Sequence, residues 1–282
     1  IGVAAYVPTI NDFLKEQGLP TIPTFTAARA TADSFDVYTG SMDFMKVSGR
    51  NLELKLNNGD EWDLGIPSIP KFGPAVIDWA TSFETSEGAG DGAMQVLTGG
   101  DPVLLDYDGN QRIGVELEYG LVSLFDFVHL EGSIGFEKGP QQLVTLGTGV
   151  PANLGPALQT ALGDPLAALP EAVRGTMAMT NSGGTITDVD VAGWMIGGSG
   201  VSAYVGTGLS TEDIEVPTDT SQRPMGVLLA DATVQENLWG FGVANLDIGV
   251  AAYVPTINDF LKEAGLPTIP TFTAARATAD SF

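Results

Sequence analysis

Cysteine is absent from the 282 residues, which excludes disulfides, thiolate nucleophiles and zinc–sulfur sites together. Histidine occurs once, at His129, so histidine-rich metal centres and most imidazole acid–base chemistry have no material. Basic residues are scarce: 12 Lys and Arg stand against 35 Asp and Glu, a formal charge of −23. Such a chain repels phosphate backbones, which excludes nucleic acid as a partner. No apolar run approaches the roughly 18 residues that a membrane-spanning helix needs. No G-x-S-x-G elbow supports a serine nucleophile. The GTG and GGSG runs lack the following Lys of a phosphate loop. What remains is 44% hydrophobic residues, with 36 Gly and 17 Pro. That is ample core material cut by many turns.

The strongest positive signal is internal. Ile1–Phe35 and Ile248–Phe282 agree at 34 of 35 positions, 247 residues apart, and differ only at Gln17 and Ala264. The chain therefore reads as one full repeat unit, 1–247, followed by the start of the next, 248–282: a window on a tandem array. Each unit of 247 residues carries about −22, a charge that keeps a long array soluble and discourages sideways pairing of strands. A fainter correspondence of about 50 residues lies inside the unit. GVSAYV from Gly200 recurs as GVAAYV from Gly249, GVLLADATV at 226–234 lines up with TFTAARATA at 24–32, and NLDI at 245–248 with NLEL at 51–54.

Alternation of apolar and polar residues dominates 111–138 and 186–206, the mark of half-buried strands. Segment 34–59 reads as three short strands broken near Gly40 and Gly49, and Asp108-Gly109 as a tight hairpin turn. Thr9 as a cap, with Asp12 returning the capping-box bond, and Gly18 followed by Pro20 as the stop mark a short helix whose apolar stripe is Ile10, Phe13 and Leu14. Residues 151–175, with Pro156, Asp164 and Pro165, suggest a helical insertion of two short helices. The fold class is mainly β: an elongated β-rich repeat rod, solenoid-like or a long curved sheet, with a few short helices. Strand direction stays open at this point.

Candidate metal ligands are acidic. Asp106, Asp108 and Asn110 in DYDGN place three oxygen donors at alternate positions, as a calcium loop does, but the twelfth-position glutamate is Leu117. Asp188 and Asp190 lie two apart on one strand face and form a calcium edge or a solvated face. Acidic loops at Glu212, Asp213, Glu215 and Asp219, and at Asn58, Asp60, Glu61 and Asp63, read as polar surface. His129 reads as a structural strand histidine, and Trp62, Trp79, Trp194 and Trp239 as packing groups. Calcium is the only cofactor these patterns suggest, and no residue is assigned a catalytic role.

The blocks NLDIGVAAYVP, FTAARATADSF, NLELKLNNG, VIDWATSF, LLDYDGN and FDFVHLEGSIGFEKG resemble a repeated block of very large bacterial proteins, the LEPR-XLL-containing or adhesin-like exoproteins. The resemblance covers most of 1–139 and 186–282. It implies a secreted or surface-attached protein of great length, of a kind without an established enzymatic activity. In many members an Asp/Asn-Gly calcium-type loop follows the equivalent of AYVG; here TGLSTEDIEVPTDTSQRP at 207–224 lacks that spacing. The expected function is a structural repeat of a giant extracellular protein, building the shaft of a surface fibre, stalk or adhesin. Its partners are neighbouring repeats of the same chain and other copies of the fibre. The alternative is a β-rich groove that binds or conducts lipid or another hydrophobic ligand.

Overall fold

The computed structural model describes residues 1–37, 45–65, 72–85, 88–147, 181–182, 185–263, 265 and 268–280. The expected helical insertion at 151–175 and the break at Gly40 fall outside these residues.

The strands predicted from alternation are present and long. In chain order they are β1 (Gly2–Tyr6), β2 (Phe25–Val37), β3 (Met45–Gly59), β4 (Glu61–Trp62), β5 (Phe72–Pro74), β6 (Phe83–Thr85), β7 (Gly88–Gly92), β8 (Met94–Val96), β9 (Val103–Leu105), β10 (Arg112–Leu124), β11 (Val128–Gly147), β12 (Asn181–Ser182), β13 (Thr185–Thr207), β14 (Trp239–Pro255) and β15 (Phe272–Thr278). Helices are few and short: α1 (Asn11–Glu16), α2 (Pro224–Ala230), α3 (Ala232–Gln235) and α4 (Asn258–Glu263). No described helix is long and apolar enough to cross a membrane.

One open sheet organises the molecule, in the order β1-β2-β3-β10-β11-β13-β14-β15. Every pairing along it is antiparallel, which settles the strand direction. Neither solenoid coil nor closed barrel is seen among the described residues; the sheet has two edges, β1 and β15.

Two sequence expectations fail for identifiable reasons. The Asp108-Gly109 turn joins no hairpin, because β9 pairs with β8 while β10 pairs with β3 and β11. Gly109 accordingly needs no positive φ. Gly49 does not break a strand either. It lies within β3, where the Phe35 ring of the neighbouring strand covers it and a Cβ would overlap that ring.

A line of irregularities crosses the sheet. Register shifts fall at Leu117/Gly120, Glu131/Ser133 and Gly198/Val201. Asn51 and Asn245 both take φ 53° there, and Gly200 φ 57°, as bulged residues do. The NLEL and NLDI likeness thus has a shared backbone geometry. Of the other two faint likenesses, GVSAYV and GVAAYV are both strand, on neighbouring antiparallel strands, whereas GVLLADATV is largely helical where TFTAARATA is strand.

The two faces of the sheet differ in chemistry because the strand period is two. One carries a ladder of ion pairs: Arg29–Glu53 at 2.8 Å, Lys55–Glu53 at 3.2 Å, Lys55–Glu116 at 2.9 Å and Arg112–Glu137 at 3.6 Å. The other is apolar. A single row of directly opposed residues runs Leu54, Val115, Phe136, Ile196, Val250, Ala275, and Leu54, Phe136 and Ile196 are exposed.

Candidate functional site

The duplicated segment is the feature whose geometry says most. Both copies fold locally in the same way. β1 pairs with β2 from Gly2↔Arg29 to Tyr6↔Phe25, and the later copy repeats this from Gly249↔Arg276 to Tyr253↔Phe272. In each, an asparagine clamps the loop after the helix. The Asn11 amide donates to Ile22 O at 2.8 Å and accepts from Ile22 N at 2.9 Å; Asn258 does the same with Ile269 at 2.7 and 2.8 Å. Gly18 and Gly265 end the helices with φ 64° and 68°, as C-terminal glycines do. The expected capping box is absent: Ile10 stands at the α1 N-cap with no side-chain bond. The later counterpart of Thr9, Thr256, bonds instead to Asp190 of β13.

Their surroundings differ, and in a complementary way. The first copy is covered on its inner face: Ala4 and Ala27 are buried under Trp79, Leu105 and Tyr107. The Tyr6 ring stands 5.5 Å from Trp79, edge-on. Asn57 fastens that cover, accepting from Trp79 Nε1 at 2.7 Å and donating to Asn110 O at 2.9 Å. The outer flank of this copy is bare, with Ile10 49% and Phe13 57% exposed.

In the second copy the flank is covered and the face is bare. β13 pairs along it from Gly198↔Ile248 to Val191↔Pro255. Ile257, the counterpart of Ile10, is only 7% exposed, as is Leu261. Tyr253 packs with Val189, Val191 and Leu146, its ring against Gly193, where a Cβ would overlap it. Thr256 donates its hydroxyl to Asp190 Oδ2 at 3.0 Å and its amide to Asp190 O at 3.0 Å. Ala274, the counterpart of sealed Ala27, is exposed. Each copy holds the half of the packing that the other lacks.

A second cluster, which the sequence hid, sits beside the bulge line. Glu131 is fully buried, accepting from the Tyr119 hydroxyl at 3.0 Å and from Gly226 N at 3.1 Å. Burial pushes its carboxyl above the ordinary value, against those hydrogen bonds. Burial also raises the Tyr119 hydroxyl, with the Glu131 charge adding to the effect. The Arg223 guanidinium lies 5.8 Å from the Tyr119 ring centre. Nearby, Ser123 Oγ and His129 Nδ1 lie 2.9 Å apart, and Ser123 also meets Thr211, which bonds Asp126. The likeness to a nucleophile and its base is superficial. Ser123 is 1% exposed, and its partner nitrogen is Nδ1, while His129 Nε2 is buried without a hydrogen bond. Burial lowers the His129 pKa. Both groups fasten segment 208–238 to the sheet over Leu121, Tyr204, Ile214, Met225 and Leu229. In the sequence Glu131 looks like an ordinary outward residue of an alternating strand; only the fold of 208–238 over it reveals otherwise.

The candidate calcium ligands are dispersed among other partners. Asp106 pairs with Arg29 at 3.1 Å and Asp108 with Arg112 at 3.3 Å. Burial works to raise the Asp108 carboxyl, but Arg112 and Asn110 hold it below its ordinary value. The Asn110 side chain bonds Asp108, and its carbonyl accepts from the Asn57 amide at 2.9 Å. Asp188 is exposed at φ 57°. Asp190 is half-buried and bound to Thr256, with burial raising its pKa. Among the described residues no three Asp, Glu or His side chains converge as a metal site would require.

No family model, no curated protein and no solved structure matches this chain.

Proposed function

We propose that the chain is a structural repeat whose units join edge to edge into one continuous antiparallel sheet, the wall of a long extracellular assembly. The observation that carries this reading is the complementary packing of 1–35 and 248–282. Superposing the two environments gives a segment paired on both edges and covered on its inner face and its flank. Passing from β1 to its counterpart in β14 crosses six strands, an even number, so every unit enters the sheet in the same direction. At about 4.8 Å per strand each unit advances the sheet by about 29 Å. The extracellular setting rests on the resemblance to giant exoproteins. A chain carrying residues 1–247 twice before 248–282, imaged by electron microscopy, tests the reading. One uninterrupted sheet with that advance supports it; two separately tumbling bodies overturn it.

A second reading has its own observation. The apolar face of the sheet extends over all the strands from β3 to β15, and large exposed apolar patches mark interaction surfaces. Phe125, Phe127, Trp239 and Phe241 add exposed aromatic rings. Under this reading the face holds the acyl chains of lipid. Mass spectrometry of organic extracts from the purified chain checks it: bound lipid at a fixed ratio supports it, and a lipid-free, vesicle-indifferent chain removes it.

A further inference from the structure

We propose that separate copies of this chain join head to tail by strand exchange, residues 248–282 of one copy taking the seat that residues 1–35 hold in the next. The inference rests on the edge-to-edge reading above and extends it to chains that are not covalently joined. Its occupant is fixed by sequence. The two segments differ only at Gln17 and Ala264, and Gln17 is exposed at the end of α1, so either segment fits either seat.

The seat consists of the β3 edge and the cover of Trp79, Leu105 and Tyr107. In its own copy, 248–282 already has β13 on one side, while among the described residues β15 pairs only with β14. Exchange therefore gives one segment both sets of neighbours and closes two open strand edges into one ladder. Register follows from the pairs already present. Because Ala28 faces Leu56 and Ala30 faces Leu54, Ala275 and Ala277 of the incoming copy face Leu56 and Leu54. The pairing and packing that break when 1–35 leaves are re-formed by its near-identical replacement, the low-cost condition for swapping an element between copies. The tethered 1–35 competes at an effective concentration of order millimolar, so exchange grows with protein concentration and warmth.

The absence of cysteine makes the test clean. In the doubly substituted full chain Leu54→Cys/Ala277→Cys, the two thiols lie five strands apart, about 24 Å, so no bond closes within one copy. Both sites lie on the exposed apolar face. The chain is concentrated to millimolar, warmed to just below its unfolding midpoint, cooled and oxidised, with circular dichroism confirming the fold. The expected result is a ladder of disulfide-linked dimers and higher species, lost on dilution before oxidation. Folded protein that stays monomeric overturns the proposal. So does cross-linking in Val3→Cys/Ala277→Cys but not at Leu54, which would mean that intact edges stack without exchange. Because separate chains are used, failure here leaves the covalent array, judged by imaging the two-unit chain, standing.

Discussion

Residues 1–35 and 248–282 are nearly the same sequence in two environments, and the comparison separates what the segment dictates from what its neighbours supply. Strand, helix, asparagine clamp and terminal glycine recur in both; these belong to the segment. Burial does not recur. Ile10 is 49% exposed and Ile257 7%, although the residue and its local fold are unchanged. Hydrophobic positions that look wasted in the first copy are buried in the second, and the proposed edge-to-edge joining of units makes them docking positions.

Equivalent substitutions in the two copies should therefore have unequal effects. Ile257→Ala should cost about 2–4 kcal/mol, as large-to-small changes in packed sites do, and Ile10→Ala less than about 1 kcal/mol. Urea denaturation of each variant measures the difference, and equal losses would break the comparison. On the inner face the ranking reverses: Ala27→Leu should cost about 1–3 kcal/mol by overpacking against Trp79, and Ala274→Leu almost nothing.

Gly193→Ala sharpens the comparison from the partner's side. Its Cβ would strike the Tyr253 ring, so a loss of about 1–3 kcal/mol should appear together with faster proteolysis within 248–282. The first copy, which does not touch Gly193 in this chain, should be cut no faster.

The Glu131 cluster belongs to neither copy and serves as a control. Its folded pKa is raised above the ordinary 4.5. Its contribution is thus fully present below about pH 4.5 and is lost as pH rises through the raised value. Glu131→Gln should gain stability relative to the parent as pH climbs, by on the order of 1 kcal/mol. Denaturation from pH 4 to 8 follows this, and a flat difference would mean that the carboxyl is not held protonated. The gain should be the same in one-unit and two-unit chains.

The smallest expected effect is at the threonine. Thr256→Val removes the bonds of its hydroxyl to Asp190 and should cost about 1 kcal/mol; Thr9→Val should be neutral until a preceding unit is present.

The strands and the repeat were legible because alternation and identity are local or countable. The antiparallel order was not, since nothing in a strand's own residues names its neighbour. The misleading signals share a cause. Asp108-Gly109 looks like a hairpin, but β10 pairs with β3 and β11, and Asn57 of β3 holds the Asp108 carbonyl. Thr9 looks like a cap, but its counterpart bonds across strands to Asp190. Glu131 looks solvated, but Gly226 and Tyr119 close over it. In each case a tertiary partner far away in sequence decides the role of the residue.

Amide hydrogen exchange on Gly2–Tyr6 and Gly249–Tyr253, compared between one-unit and two-unit chains, tests the central claim most directly. In one unit, the outward amides of Gly2–Tyr6 should exchange far faster than those of Gly249–Tyr253, which β13 pairs. In two units, the outward amides of Phe272–Thr278, which β14 alone pairs among the described residues of one unit, should gain protection from the β3 edge of the next unit, while Gly2–Tyr6 stays fast. Equal protection of the two copies in one unit, or no added protection at the junction of two, would contradict the account.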